Sequence, residues 1–188
     1  MPVFIICILQ FFPLLCQDKL VKAAHSGVRY GVLYKGKLIP EVVKRGNLEI
    51  GRFEVTRAQY VAWDTGYPVP HGTENYPANG ITLPQAQGYC EWLTKLTGRV
   101  FRVPTEEETA DLYKASTGDK SRAAKLMEVG RSKPNQAVGQ EAIYDLDGNV
   151  TEWVLTQDGT GKTAGGSAGA KDDPMFTGFR VVRGIAKK

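Results

Sequence analysis

Sulfur and imidazole are scarce in this chain. Of its 188 residues three are cysteine and two are histidine. Cys7 and Cys16 fall in an apolar opening stretch, so a processed chain would keep Cys90 alone. That excludes an internal disulfide in such a chain, and three cysteines exclude a four-cysteine zinc site outright. Cys90 lies within a helical apolar pattern, where a lone thiol is core packing. A strong charge excess is also lacking: 24 basic residues face 20 acidic ones, for a net charge of +4. The Lys and Arg residues are dispersed, which argues against a phosphate-tracking stripe and hence against nucleic acid. No Gly-x-Ser-x-Gly elbow and no glycine-rich phosphate loop with Lys and Ser/Thr occurs.

No apolar run is long enough for a stable membrane span, which takes about 20 residues. The longest, Val3 to Leu15, is broken by Gln10. It has the character of a secretory h-region, and we read residues 1–17 as a leader. No Lys or Arg precedes it and no small-x-small site follows cleanly. Pro13-Leu14-Leu15 is a poor lipobox ahead of Cys16. Export is the expectation, with a cytoplasmic location as the alternative.

Glycine and proline, by contrast, are plentiful, at 21 and 10 residues. They suit a loop-rich fold. The remaining composition, 42% hydrophobic and 23% charged, is that of an ordinary globular domain, and no linker divides residues 18–188. Alternation over Val28 to Tyr34, then Lys35-Gly36-Lys37 and Leu38-Ile39, predicts a strand, a tight turn and a second strand. Leu48 to Val55 reads as another strand. Thr56 could cap a short helix, Arg57 to Trp63, and residues 64–80 read as loop.

The clearest helix is Leu83 to Thr97, with a Thr82/Gln85 capping box and Gly98 at its end. A strand at Val100 to Val103 follows. Thr105 and Glu108 then cap a helix running to about Ser116. Residues 117–141 look irregular, with one helical turn at 123–127. A turn centred on Asp147-Gly148-Asn149 sits between two apolar stretches, Thr156 to Pro174 reads as loop, and Phe179 to Val182 as a closing strand. Glu106, Glu107 and Glu108 point about 100° apart on a helix, so they suit a solvated cap better than an acid/base pair.

Four stretches, in order, carry a family resemblance. They are Gly51-Arg52-Phe53-Glu54-Val55-Thr56 with Tyr60; Ala86 to Leu93 with Thr97-Gly98 and Phe101 to Glu108; Ile143 to Trp153 (IYDLDGNVTEW); and Gly165-Gly166-Ser167 with Gly178-Phe179-Arg180-Val181-Val182. Together, over about residues 46–183, they resemble the formylglycine-generating-enzyme (sulfatase-modifying factor) superfamily. The resemblance implies an α+β, C-type-lectin-like fold: few helices on short, mostly antiparallel strands. It implies that Arg102 ties loops to the core. It also implies a structural calcium held by Asn149, the Val150 carbonyl and Glu152, with Asp145 and Asp147 as helpers. Hard oxygen donors converging from a glycine turn suit that ion, although Asn149 and Glu152 could equally bond the backbone. A second calcium site has no match, because residues 117–135 look shortened.

The departures bear on function. Family tryptophans are replaced by Thr109, Thr151 and Ala168. Enzymes of the family place two copper-binding cysteines between the positions of Ser167 and Gly178, where this chain has ten residues and no Cys. Without two thiolates no such soft-metal site forms, and no copper is expected. The related iron sulfoxide synthases need several histidines, and only His25 and His71 are present. The expectation is a non-catalytic binding or structural module for an unidentified protein or glycan ligand. Trp63, Tyr67, His71, Tyr76 and Trp153 would supply a ligand face across the 64–80 and 156–177 loops, unless they are rim packing. The alternative is a divergent metal-dependent oxidase of the sulfatase-modifying type.

Overall fold

Lys35 and Gly36 both take positive φ, 46° and 73°. That is the two-residue turn whose twist matches antiparallel strands. It joins β1 (Val32–Tyr34) to β2 (Lys37–Ile39), with Tyr34 opposite Lys37. The computed structural model describes residues 27–115, 125–132, 134, 141–166 and 173–184. The leader expected at 1–17, His25 and Ala168 lie outside them. Of the helical turn read at 123–127, Lys125 to Met127 are described and are not helical.

A four-stranded antiparallel sheet follows in the order β3-β4-β9-β5, from Val42–Arg45, Leu48–Gly51, Val182–Gly184 and Phe101–Arg102. A second sheet, β7-β6-β8, uses Gly161–Ala164, Thr151–Leu155 and Thr177–Gly178. Here β6 pairs antiparallel with β7 and parallel with β8. The chain is therefore mixed α+β with few helices and mostly antiparallel strands, as expected.

The long helix α2 (Leu83–Thr97) has the expected bounds. Thr82 accepts from the Gln85 N–H, Gln85 reaches back to Thr82, and Gly98 closes it at φ 71°. Its buried stripe of Ala86, Tyr89, Cys90 and Leu93 meets Tyr60, Phe101, Val103, Phe179 and Val181 in the main core. A second core, of Val43, Ile50, Leu112, Ile143, Leu146 and Val182, lies under α3 (Glu106–Ala115). In α3 the Thr105/Glu108 box is made by reciprocal bonds, and three glutamates occupy the positive end of the helix dipole.

Several elements differ from the expectation. The short helix α1 spans Arg57–Tyr60; beyond it Ala62 and Trp63 bond three residues back, which tightens the chain into turns. The strand read to Val55 stops at Gly51, where a Cβ would meet the Phe53 carbonyl at 2.9 Å, so the chain bends. β3, and β7 within the stretch read as loop, are strands the sequence reading missed. Phe179 to Val181 is not a strand. It bonds instead to that bend, with Gly51 N donating to the Val181 carbonyl and Val55 N to Phe179, between the short strands β8 and β9.

Candidate functional site

The Asp-Gly-Asn turn leads through Val150 into β6; Asn149 within it and Asp145, two residues before it, sit at left-handed φ, 71° and 61°. Asn and Asp tolerate that conformation better than other side chains. It turns the Asn149 amide inward. Its Nδ2 donates to Glu54 Oε2 at 2.8 Å, and its Oδ1 accepts from Met127 N at 2.9 Å. The other Glu54 oxygen accepts from Val150 N at 3.1 Å. Asp145 accepts at its carboxylate from the backbone N–H groups of Gly130 and Ser132, and its own backbone N–H donates to the Ser132 hydroxyl oxygen, which docks residues 127–132 onto the same cluster.

Three residues after Asn149, Glu152 is central in its sheet, between Ala164 and Gly178. Arg180 lies against it, and the pair is 0% and 1% exposed. Arg180 Nε and Nη2 each donate to a Glu152 oxygen at 2.5 Å. The remaining donors reach the Gly51 carbonyl at 2.9 Å and the Tyr144 carbonyl at 3.0 Å. Tyr113, on α3, donates its hydroxyl to Glu152 at 2.8 Å. A charged pair this deep is tolerated only because nearly every lone pair and proton finds a partner.

Electrostatics follow from the burial. Burial, then the carboxylates of Asp145 and Glu152, push the Glu54 carboxyl well above the usual range, against the pull of Arg180. Burial and the Glu152 carboxylate raise the Tyr113 phenol. Burial disfavours charge on Arg180, but Glu152 outweighs it and holds the guanidinium protonated. Burial pushes the Cys90 thiol up to about 12, so it is not a nucleophile at neutral pH.

The three residues read as calcium ligands thus lie together, but their arrangement does not fit the ion. Glu152 faces a guanidinium with both oxygens, and Asn149 Oδ1 is taken by a backbone N–H. Asp145 is engaged as well. Among the described residues no group of three His, Cys, Asp or Glu is placed to hold a metal. Glu54, Tyr113 and Arg180 complete the cluster; Glu54 and Arg180 lie in the stretches that carry the family resemblance, but none of the three is marked by the sequence as a site residue. One signal was available: Arg180 is a charge inside an apolar run, Phe179 to Val182, and needs a buried partner.

The residues read as a ligand face divide. Trp63, Tyr67 and Trp153 pack against the main core. Trp153 Nε1 donates to the Ile81 carbonyl at 2.7 Å, and the Tyr67 hydroxyl exchanges bonds with both backbone groups of Asn79 at 2.9 Å. His71 is exposed. Tyr76 has the Arg57 guanidinium 5.7 Å from its ring centre, and it lines a surface depression of about 570 Å³ with Met127, Glu128 and Arg131. The 64–80 loop carrying it is stitched down. Arg57 bonds Thr73 and Asn79, the Asn79 amide reaches the Met175 carbonyl, and Asn75 bonds Gly27 and Arg29. Arg102 pairs with Glu108 through both guanidinium nitrogens at 2.5 and 2.6 Å, and so braces α3. Among the described residues no helix is long and apolar enough to cross a membrane.

No protein-family model matches the chain, and no curated protein matches it in sequence. Solved structures do. The crystal structure of CarF superposes with a TM-score of 0.50 at 17% identity, covering 74% of this chain and 87% of CarF. Treponema denticola variable protein 1 gives 0.50 at 16% identity, covering 79% of this chain and 93% of that one. PvdO from Pseudomonas aeruginosa gives 0.47 at 17% identity, over 73% and 80%. CarF and the Treponema protein have folds of the formylglycine-generating-enzyme type, and at such identities the likeness extends to the fold alone.

Proposed function

We propose that this chain is a non-catalytic binding module with a C-type-lectin-like fold of the sulfatase-modifying-factor superfamily, and that it takes a glycan at the Tyr76 depression. The observation that carries the reading is where the reactive groups point. Glu152, Glu54, Asn149 and Asp145 are spent on one another, on Arg180 and on backbone, and the Cys90 thiol is buried. What faces outward is a loop surface fixed by side-chain bonds, and a pre-ordered surface loses little entropy on binding.

The depression offers the chemistry a sugar needs. The Tyr76 ring gives an apolar face for C–H groups. Glu128, flanked by Arg29 and Arg131, gives a planar acceptor beside planar donors for hydroxyls. The test is a glycan array with the purified chain, repeated with Tyr76→Ala and Glu128→Ala. Selective binding that both substitutions abolish, with unchanged melting, supports the reading. An empty array, or binding indifferent to both, counts against it.

A further inference from the structure

We infer that the residues to which the family resemblance assigns calcium do not take the ion in this chain, because Arg180 and a backbone N–H already hold their side-chain oxygens, so that the fold is complete without a divalent ion. A structural calcium gathers six to eight oxygens from separate chain segments. Arg180 gathers four oxygens: two from Glu152 in β6, one from Gly51 at the end of β4 and one from Tyr144. These partners lie 28, 129 and 36 residues away in sequence. One side chain thereby joins both sheets and the segment leading into the Asp-Gly-Asn turn.

The same bonds leave the expected calcium ligands committed. A dication beside Glu152 would sit against a fully buried guanidinium, and repulsion between like charges is strong where water is absent. Asn149 cannot free its oxygen by turning over. A flipped amide would set its NH2 against the Met127 N–H and its oxygen against the Glu54 carboxylate. Glu54 is held in turn by Asn149 and by Val150 N. Both side chains to which the resemblance would bind the ion, Asn149 and Glu152, are therefore already taken by donors of this chain.

The experiment melts the full chain in excess EGTA and in excess calcium chloride, and titrates calcium by calorimetry. An ion that binds only the folded state raises the melting temperature by several degrees once it exceeds its Kd a hundredfold. The expected result is the same melting temperature in both buffers and no saturable heat. Asn149→Ala should melt lower than the parent chain by the same amount in each buffer. Arg180→Lys keeps the charge but loses the fork, and should melt well below the parent chain in either buffer. A saturable calcium-dependent rise in melting temperature, or wild-type-like melting of Arg180→Lys, would overturn the inference.

Discussion

Replacing Arg180 by methionine removes the buried guanidinium while keeping most of the side-chain stem. Glu152 then loses its counter-charge and keeps the Tyr113 hydroxyl as its remaining partner from the cluster, and the carbonyls of Gly51 and Tyr144 lose a donor. Breaking a buried pair by removing one partner costs about 3–5 kcal/mol. The two carbonyls add about 1–3 kcal/mol more if no water reaches them, though such losses do not simply add. Against a total stability of about 5–15 kcal/mol, the loss is a large share of the whole. For a chain of this length each kcal/mol is about 2–4 °C, so Arg180→Met should melt roughly 6–20 °C lower.

Urea unfolding followed by circular dichroism measures this directly, with the m value checked for constancy. The second arm is Arg180→Met combined with Glu152→Gln, which neutralises the stranded carboxylate. Because the cost lies in the uncompensated charge, the double variant should be more stable than Arg180→Met alone. A loss below about 1 kcal/mol in the single variant would refute the reasoning, since that is the range of surface pairs. So would a double variant no better than the single one.

Other outcomes follow from the packing. A Cβ on Gly178 would lie 2.5 Å from the Ala78 carbonyl and 2.8 Å from Val150, so Gly178→Ala should cost about 1–3 kcal/mol or more by overpacking; Gly148→Ala, with open space around it, should be tolerated, and parallel melts compare the two. Glu108 is pushed up by burial, but Arg102 and the Thr105 N–H outweigh that and hold its carboxyl below the usual range. Its pairing therefore stabilises the fold above the ordinary carboxylate pKa, and the contribution fades as pH falls through the lowered value. Glu108→Gln should accordingly melt lower than the parent chain at neutral pH, and its melting temperature should fall less steeply between about pH 6 and about pH 3.

Helix starts were the most legible part of the fold. The Thr82/Gln85 and Thr105/Glu108 boxes are local, so their residues and spacing suffice to announce them. Strands of three or four residues carry too little periodicity to be read singly, and β7, Gly-Lys-Thr-Ala, has almost no β-forming character. Phe179 to Val182 misled in the other direction: its apolar run reports burial, and burial here comes with irregular bonds to the Gly51–Val55 bend.

At the site, the sequence picked out Asn149 and Glu152 because they cluster within four residues. Glu54 and Arg180 are 95 and 28 residues from the partners they bond, and nothing local marks such a pairing. The aromatic residues chosen for a ligand face show the same limit. Composition names Trp63 and Trp153, but only the three-dimensional arrangement reveals that their rings are spent on the core.

The claim underlying all of this is that the chain acts by contact and that no redox metal takes part. Elemental analysis of protein purified without chelators tests it most directly. The account predicts far less than one copper or iron per chain. One tightly held copper or iron per chain, surviving dialysis, would contradict it.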